Sequence, residues 1–123
     1  MNESSRETSS RSRIMGWTVA GVLMIGLALI AIPNFIKART TSSANACINN
    51  LRQIDAAANQ FALERGLTNG AHIHFPDDLT PYIKLNSAGK IPGCPSGGRY
   101  ILWRVGQLPL CTLGETNPAH RLE

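Results

Sequence analysis

An uninterrupted apolar stretch near the N-terminus is the feature that most constrains how this chain can fold. Nineteen consecutive residues, from Ile14 to Ile32, carry no charge, and Thr18 is their only clearly polar side chain. As a helix they extend roughly 28 Å, close to the roughly 30 Å hydrocarbon thickness of a bilayer. The rest of the 123-residue chain has too little apolar surface to cover such a helix on every side. The sequence therefore predicts a transmembrane helix over residues 14–33.

A cleavable secretory signal is the main alternative for this stretch. Arg11 and Arg13 precede it, as basic residues precede the apolar part of a signal peptide. The stretch is too long for that part, however, and Pro33 follows it in place of a small-x-small cleavage motif. We therefore expect the segment to be retained. Residues 1–13 are nearly all polar and are predicted to form a disordered leader.

The helix is predicted to continue well beyond the apolar stretch. Apolar residues recur there at intervals of three and four, which is typical of an amphipathic helix over residues 34–66. This stripe comprises Ile48, Leu51, Ile54, Ala58, Phe61 and Ala62. Gly66 fits a C-terminal cap, so one helix is expected from Ile14 to Arg65. Pro33 cannot donate its backbone hydrogen bond, which predicts a kink or local unwinding at that position.

Residues 67–114, called the head below, are rich in Gly and Pro and predict loops with a β-hairpin. Arg99–Val105 reads as a strand, residues 106–107 as a turn and Leu108–Leu113 as the returning strand. Asp77 is predicted to cap a short helical turn that ends at Tyr82. Residues 115–123, the C-terminal segment, lack periodicity and are predicted to be a flexible tail. The expected fold class is α+β, with a long N-terminal helix and a small hairpin head.

Two of the three cysteines bracket the predicted hairpin. Cys94 and Cys111 should lie near each other at its open end, where a disulfide could add roughly 3 kcal/mol of stability. The alternative is a pair of reduced, buried thiols. Cys47 lies far away in the helix, so the sequence argues against a zinc site and predicts a packed side chain, with intermolecular pairing as the alternative. The charges that flank the span are nearly balanced and do not decide its orientation. A disulfide would decide it, because it would place the head in an oxidising compartment, the periplasm or the cell exterior, and therefore the leader in the cytoplasm.

Other candidate chemistry in the sequence is sparse. His72 and His74 would share one face of an extended segment and could hold a metal, but no third ligand is obvious, and solvated loop histidines are the simpler interpretation. Ser96 has no histidine nearby in sequence, so no catalytic triad, enzyme activity or cofactor is predicted. The net charge of +4 is scattered, with no basic run between aromatics, which argues against nucleic-acid binding.

Several blocks of the sequence form a combination found in a known protein family. They are a leader with basic residues, a glycine–aromatic junction, an apolar helix ending in AIPNFIKAR, the continuation CINNLRQIDAAANQFALERG and the block CPSGGRY. Over residues 13–114 they together resemble type IV pilin-like proteins. The resemblance implies a structural subunit of a type IV pilus or type II secretion pseudopilus. Such a subunit is single-pass in the bacterial inner membrane, with a cytoplasmic N-terminus and a periplasmic or extracellular head. The implied partners are the membrane, other pilin-like subunits, the assembly platform and the prepilin peptidase.

The chain departs from this family at its processing signal. The family's peptidase cleaves after a glycine that precedes Phe-Thr-Leu-x-Glu, so Gly16-Trp17 is the candidate processing site here, and Gly21 occupies the position of the missing glutamate. Aligning on Pro33 instead places Gly16 at that position. Without the carboxylate, a new N-terminal charge would be buried unpaired in a filament. The sequence thus favours a minor pilin or pseudopilin. The alternatives are an uncleaved membrane-tethered periplasmic binding module and a decayed paralogue without an assembly role.

Overall fold

The computed structural model describes residues 3–123, with side chains from Ser10 onward. Helix α1 spans Glu3–Arg65, a 3-10 turn spans Asp77–Tyr82, and strands β1 and β2 span Tyr100–Ile101 and Leu110–Cys111. The α+β class with one long N-terminal helix and a small antiparallel sheet is confirmed.

Helix α1 begins earlier than the sequence predicts. The leader was expected to be disordered, but from Glu3 onward it is helical; Met1 and Asn2 lie outside the described residues. The leader contains neither glycine nor proline. Adding residues to an existing helix avoids the costly nucleation step, so the polar leader can extend the helix that the apolar stretch starts.

The apolar part of α1 belongs to a first compact unit, residues 1–38. Its large side chains are exposed on all sides: Trp17 is 79% and Leu29 71% exposed. The helix is long and apolar enough to cross a membrane, with a mean hydropathy of 2.3 in its most apolar window. These properties are consistent with a single-pass membrane protein. Helical structure continues through Pro33, so the local unwinding predicted there is not observed.

The second unit, residues 39–123, is built on the remainder of α1. The predicted stripe is confirmed: Leu51, Ile54 and Phe61 are buried together with Ala58 and Ala62, while Ile48 is half-buried. The head covers the stripe in two clusters. The larger joins it to Ile73, Leu79, Leu102 and Val105, and the smaller contains Leu51 with all three cysteines.

The predicted hairpin is present but pairs over fewer residues than expected. Tyr100 pairs with Cys111 and Ile101 with Leu110. Residues 103–105 then leave β2 and pair with residues 71–73; the Ile73 amide donates to the Trp103 carbonyl at 2.9 Å. Pro109 on the returning strand is fully buried and has no N–H to donate, which limits the ladder between the two strands.

The short helical turn is confirmed, but its predicted cap is wrong. Pro76 occupies the N-cap position and makes no side-chain capping bond. Asp78, not Asp77, makes the local contact: its Oδ2 accepts a hydrogen bond from the His74 amide at 2.8 Å. Leu79 anchors the turn in the core and is fully buried.

Candidate functional site

Four buried side chains from four separate segments meet in the smaller core cluster. Cys47 comes from α1, Cys94 from the loop before β1, Cys111 from β2 and His120 from the C-terminal segment. One sulfur or ring nitrogen from each lies within 4.8 Å of all the others. The Cys94 Sγ is 3.3 Å from the His120 Nδ1. We call this set the cysteine–histidine cluster.

The periodicity of α1 and the pleat of β2 place two of the sulfurs. Cys47 is one helical turn before Leu51 on the buried stripe, and neither has any exposed surface. Leu110 points outward from β2 and is 47% exposed, so its neighbour Cys111 points inward and is buried. Side chains alternate across a strand, and those four residues apart share a helix face. Both cysteines therefore face the same small core.

A tight turn holds Cys94. The Gly97 amide donates to the Cys94 carbonyl at 2.9 Å, and Gly97 adopts a φ of +87°, a conformation that favours glycine. The backbone amides of Ser96 and Gly98 lower the pKa of the Cys94 thiol. A Cβ added to Gly98 would lie 2.6 Å from the Cys111 Sγ. The sequence CPSGG thus both turns the chain and lets β2 approach closely.

Hydrogen bonds and burial affect the thiols differently. Burial opposes ionisation of Cys94, but the Ser96 and Gly98 amides and the neighbouring thiols outweigh it and lower the Cys94 pKa. Burial raises the pKa of Cys47 to about 12, although a hydrogen bond from Tyr100 opposes the shift. Burial also raises the pKa of Tyr100, so its hydroxyl remains a donor. An ionised Cys47 would therefore need a positive charge beside it.

The C-terminal segment supplies one member of the cluster, His120, that sequence reasoning missed. His120 is only 4% exposed, and Leu122 packs against the same cluster. Thr116 Oγ1 donates to the Leu113 carbonyl at 2.7 Å, and Arg121 pairs with Glu115 at 2.9 Å. These contacts were not expected of a flexible tail. Nothing in the local sequence distinguishes His120 from a surface histidine.

All three cysteines are free thiols in this structure. The Cys94–Cys111 disulfide stays a prediction. The two sulfurs are close together, as a disulfide needs, and both side chains are buried, as the alternative of reduced, buried thiols needs. The reason given against zinc, that Cys47 lies far from the other cysteines, is wrong, because Cys47 belongs to the same cluster. The position of Cys47, four residues before Leu51 on the predicted stripe, could have indicated that it faces the head.

The histidine pair predicted as a weak metal candidate lies elsewhere on the head. His72 and His74 are both exposed, with ring centroids 4.9 Å apart. The His74 Nδ1 lies 3.4 Å from the Asp78 Oδ2. Among the described side chains, one group of three or more His, Cys, Asp or Glu residues lies close enough together to share a metal ion, and it is the cysteine–histidine cluster. The histidine pair does not join it.

The candidate processing residues lie on the exposed apolar part of α1. Trp17 is 79% exposed, and an added Cβ at Gly16 or Gly21 would meet no atom within 4 Å.

Comparison with protein-family models, with curated proteins and with solved structures found no match to this chain.

Proposed function

We propose that this chain is a structural, non-enzymatic pilin-like subunit, either a minor pilin or a pseudopilin. In this role α1 anchors it in the bacterial inner membrane and later joins a type IV pilus or type II secretion pseudopilus. The observation that carries the proposal is that one continuous helix has an exposed apolar segment of membrane length followed by a buried stripe that packs against the head. A simple anchor would require only the first part.

The composition of the apolar segment supports packing between helices. Lipid chains are as apolar as leucine, so helices associate in membranes mainly through close packing of small residues. The small residues of this segment are Ala20, Gly21, Gly26, Ala28 and Ala31. An added Cβ at Gly21 or Gly26 would meet no atom within 4 Å, so their surface is open to a neighbouring helix. Exchange of lipid contacts for helix contacts is the step that filament assembly requires.

The missing carboxylate favours a minor subunit over a major one. Gly21 stands where the family has a glutamate that meets the amino terminus of a neighbouring subunit. An unpaired charge in an apolar core is expensive, so a filament made only of this chain would repeat that cost at every subunit. A few copies among normal subunits, or one copy at a tip, would limit the cost.

Processing is tested by the intact mass of the full chain co-expressed with a prepilin peptidase. We expect loss of residues 1–16. The Gly16→Val variant should keep the full mass, because the side chain at the cleaved bond becomes bulky. Gly21→Val is the matched control, a glycine of the same helix outside the cleaved bond, and it should still be processed. An unchanged mass of the natural sequence would sink the mature-subunit proposal and favour an uncleaved membrane-tethered binding module.

Assembly is tested by restoring the carboxylate. Gly21→Glu should raise the amount of this chain recovered in sheared filaments, because the new carboxylate can pair with a buried amino terminus. Gly26→Glu introduces the same charge five residues further on, where no partner is expected, and should lower the recovery. Equal recovery of both variants would contradict the proposed register.

A further inference from the structure

We propose that Cys47, Cys94, Cys111 and His120 together bind one Zn²⁺ as a structural site that fastens the head and the C-terminal segment to α1. The proposal goes beyond filament assembly and does not depend on it. A pilin-like subunit and a membrane-tethered binding module could each contain such a site.

The spacing of the four donor atoms is close to that of a tetrahedral zinc site. With Zn–S near 2.3 Å and Zn–N near 2.0–2.1 Å, two sulfurs of such a site are about 3.8 Å apart, and a sulfur and a nitrogen about 3.5 Å. Here all four atoms lie within 4.8 Å of one another, and the Cys94 Sγ and the His120 Nδ1 are 3.3 Å apart. Shifts of about an ångström or less would complete the coordination. Three cysteines and one histidine are among the usual ligand sets of structural zinc.

Hydrogen bonds around the cluster support the ligands. Ser96 and Gly98 lie in the turn after Cys94, which the Gly97 amide closes by donating to the Cys94 carbonyl at 2.9 Å. Asn50 donates a hydrogen bond to the Tyr100 oxygen at 3.0 Å, and Tyr100 packs against the core cluster that contains the three cysteines. Partners of this kind orient metal ligands and tune their basicity. These contacts fix the turn and the aromatic ring that border the sulfurs.

The charge balance of the cluster is consistent with a dication. Binding of Zn²⁺ would displace the three thiol protons to solvent, and the three thiolates with neutral His120 would form a complex of net charge −1. The ion supplies positive charge directly at the sulfurs, which favours the thiolate form of each ligand.

A metal accounts for more of the geometry than the predicted disulfide does. A Cys94–Cys111 bond would use two of the four clustered side chains and give no reason for His120 to lie against Cys94. A zinc ion uses all four. It also joins four segments that share only a small core, and small domains with limited cores are often stabilised by a structural metal.

Metal content of the full chain in detergent micelles tests the proposal directly. Protein purified with a thiol reductant and incubated with Zn²⁺ should retain one zinc per chain after dialysis. His120→Ala should weaken zinc binding at least about tenfold, since loss of even an outer-shell partner typically costs 10–100-fold. His74→Ala, which removes an exposed histidine, is the matched control and should bind normally. Retention of full affinity by His120→Ala would overturn the site.

Two further measurements keep the test decisive if a variant folds poorly. His120→Cys restores a ligand and should recover zinc binding, whereas a purely packing role of the imidazole would not predict recovery. Alkylation of the denatured natural chain with the reductant omitted counts its thiols. A zinc site predicts three reactive thiols in the denatured, chelated chain. In the native chain it predicts that a chelator raises the rate at which these thiols react. One reactive thiol in the denatured chain would show a disulfide, and native reaction rates that a chelator leaves unchanged would show that burial alone protects the thiols; either result would overturn the proposal.

Discussion

Replacement of Gly98 by alanine is the sharpest single perturbation of the cysteine–histidine cluster. The added Cβ would lie 2.6 Å from the Cys111 Sγ and 3.1 Å from the Leu113 Cγ. The first separation is far below ordinary van der Waals contact, so β2 or the turn that carries Gly98 must move. Neither the sulfur, which is buried, nor the turn can move without disturbing the cluster.

The expected loss of stability follows from overpacking. Inserting a methyl group into a well-packed core typically costs about 1–3 kcal/mol. Gly93→Ala is the matched control, because its added Cβ would meet no atom within 4 Å and neither glycine has a positive φ. Both variants restrict the unfolded chain by a similar amount, which is worth about 0.4–1 kcal/mol. The difference between them should therefore be the overpacking cost of about 1–3 kcal/mol.

Thermal unfolding of the full chain in detergent, followed by circular dichroism, measures this difference. For a domain of 60–100 residues each kcal/mol corresponds to roughly 4–8 °C in Tm. Gly98→Ala should melt lower than Gly93→Ala by at least about 4 °C and should bind Zn²⁺ more weakly. Equal melting temperatures for the two variants would refute the close approach of the CPSGG turn to β2.

Three further predictions test the packing of the head on α1. Asn50→Ala removes two hydrogen bonds that the side chain donates, to the Gly93 carbonyl at 3.2 Å and to the Tyr100 hydroxyl at 3.0 Å. It should lower the free energy of unfolding in urea by about 1–3 kcal/mol. The control Asn49→Ala, at an exposed neighbouring position, should change that free energy by no more than about 0.5 kcal/mol. Leu51→Ala should cost about 2–5 kcal/mol because the side chain is fully buried; Leu63→Ala, at a position 83% exposed, should be nearly neutral, and equal losses would contradict the assigned helix face. A chelator should lower the stability of the zinc-loaded natural chain by about 2.7 kcal/mol where free zinc had been at 100 times its Kd, but should leave His120→Ala unchanged.

Local sequence patterns predicted the elements whose burial repeats along the chain. The stripe from Ile48 to Ala62 follows the helical period, and the structure buries it almost entirely. The apolar stretch from Ile14 was recognisable by length alone. Each of these properties depends on residues close together in sequence.

The candidate site could not be predicted in the same way, because its members are joined by tertiary contacts. Cys47 and His120 are separated by most of the second unit, and neither lies at a spacing that local zinc motifs use. Their meeting depends on the hairpin register, which places Cys111 opposite Tyr100, and on the return of the C-terminal segment to α1. The helical leader was missed for another reason: polar composition does not prevent a sequence without glycine or proline from extending an adjacent helix.

The cluster also changes the argument about membrane orientation. Three basic residues, Arg6, Arg11 and Arg13, precede the apolar span, and two, Lys37 and Arg39, follow it, so charge alone leaves a near tie. The expected periplasmic head rested on a disulfide between Cys94 and Cys111, since disulfides persist in oxidising compartments. If those sulfurs hold zinc instead, cysteine usage no longer fixes the compartment, and the pilin-like resemblance becomes the remaining reason for an external head. Alkylation of intact cells with a membrane-impermeant reagent tests the orientation, with a cysteine added at exposed Ser87, away from the cluster. Only an external head can be labelled at this position, because the three natural cysteines are buried.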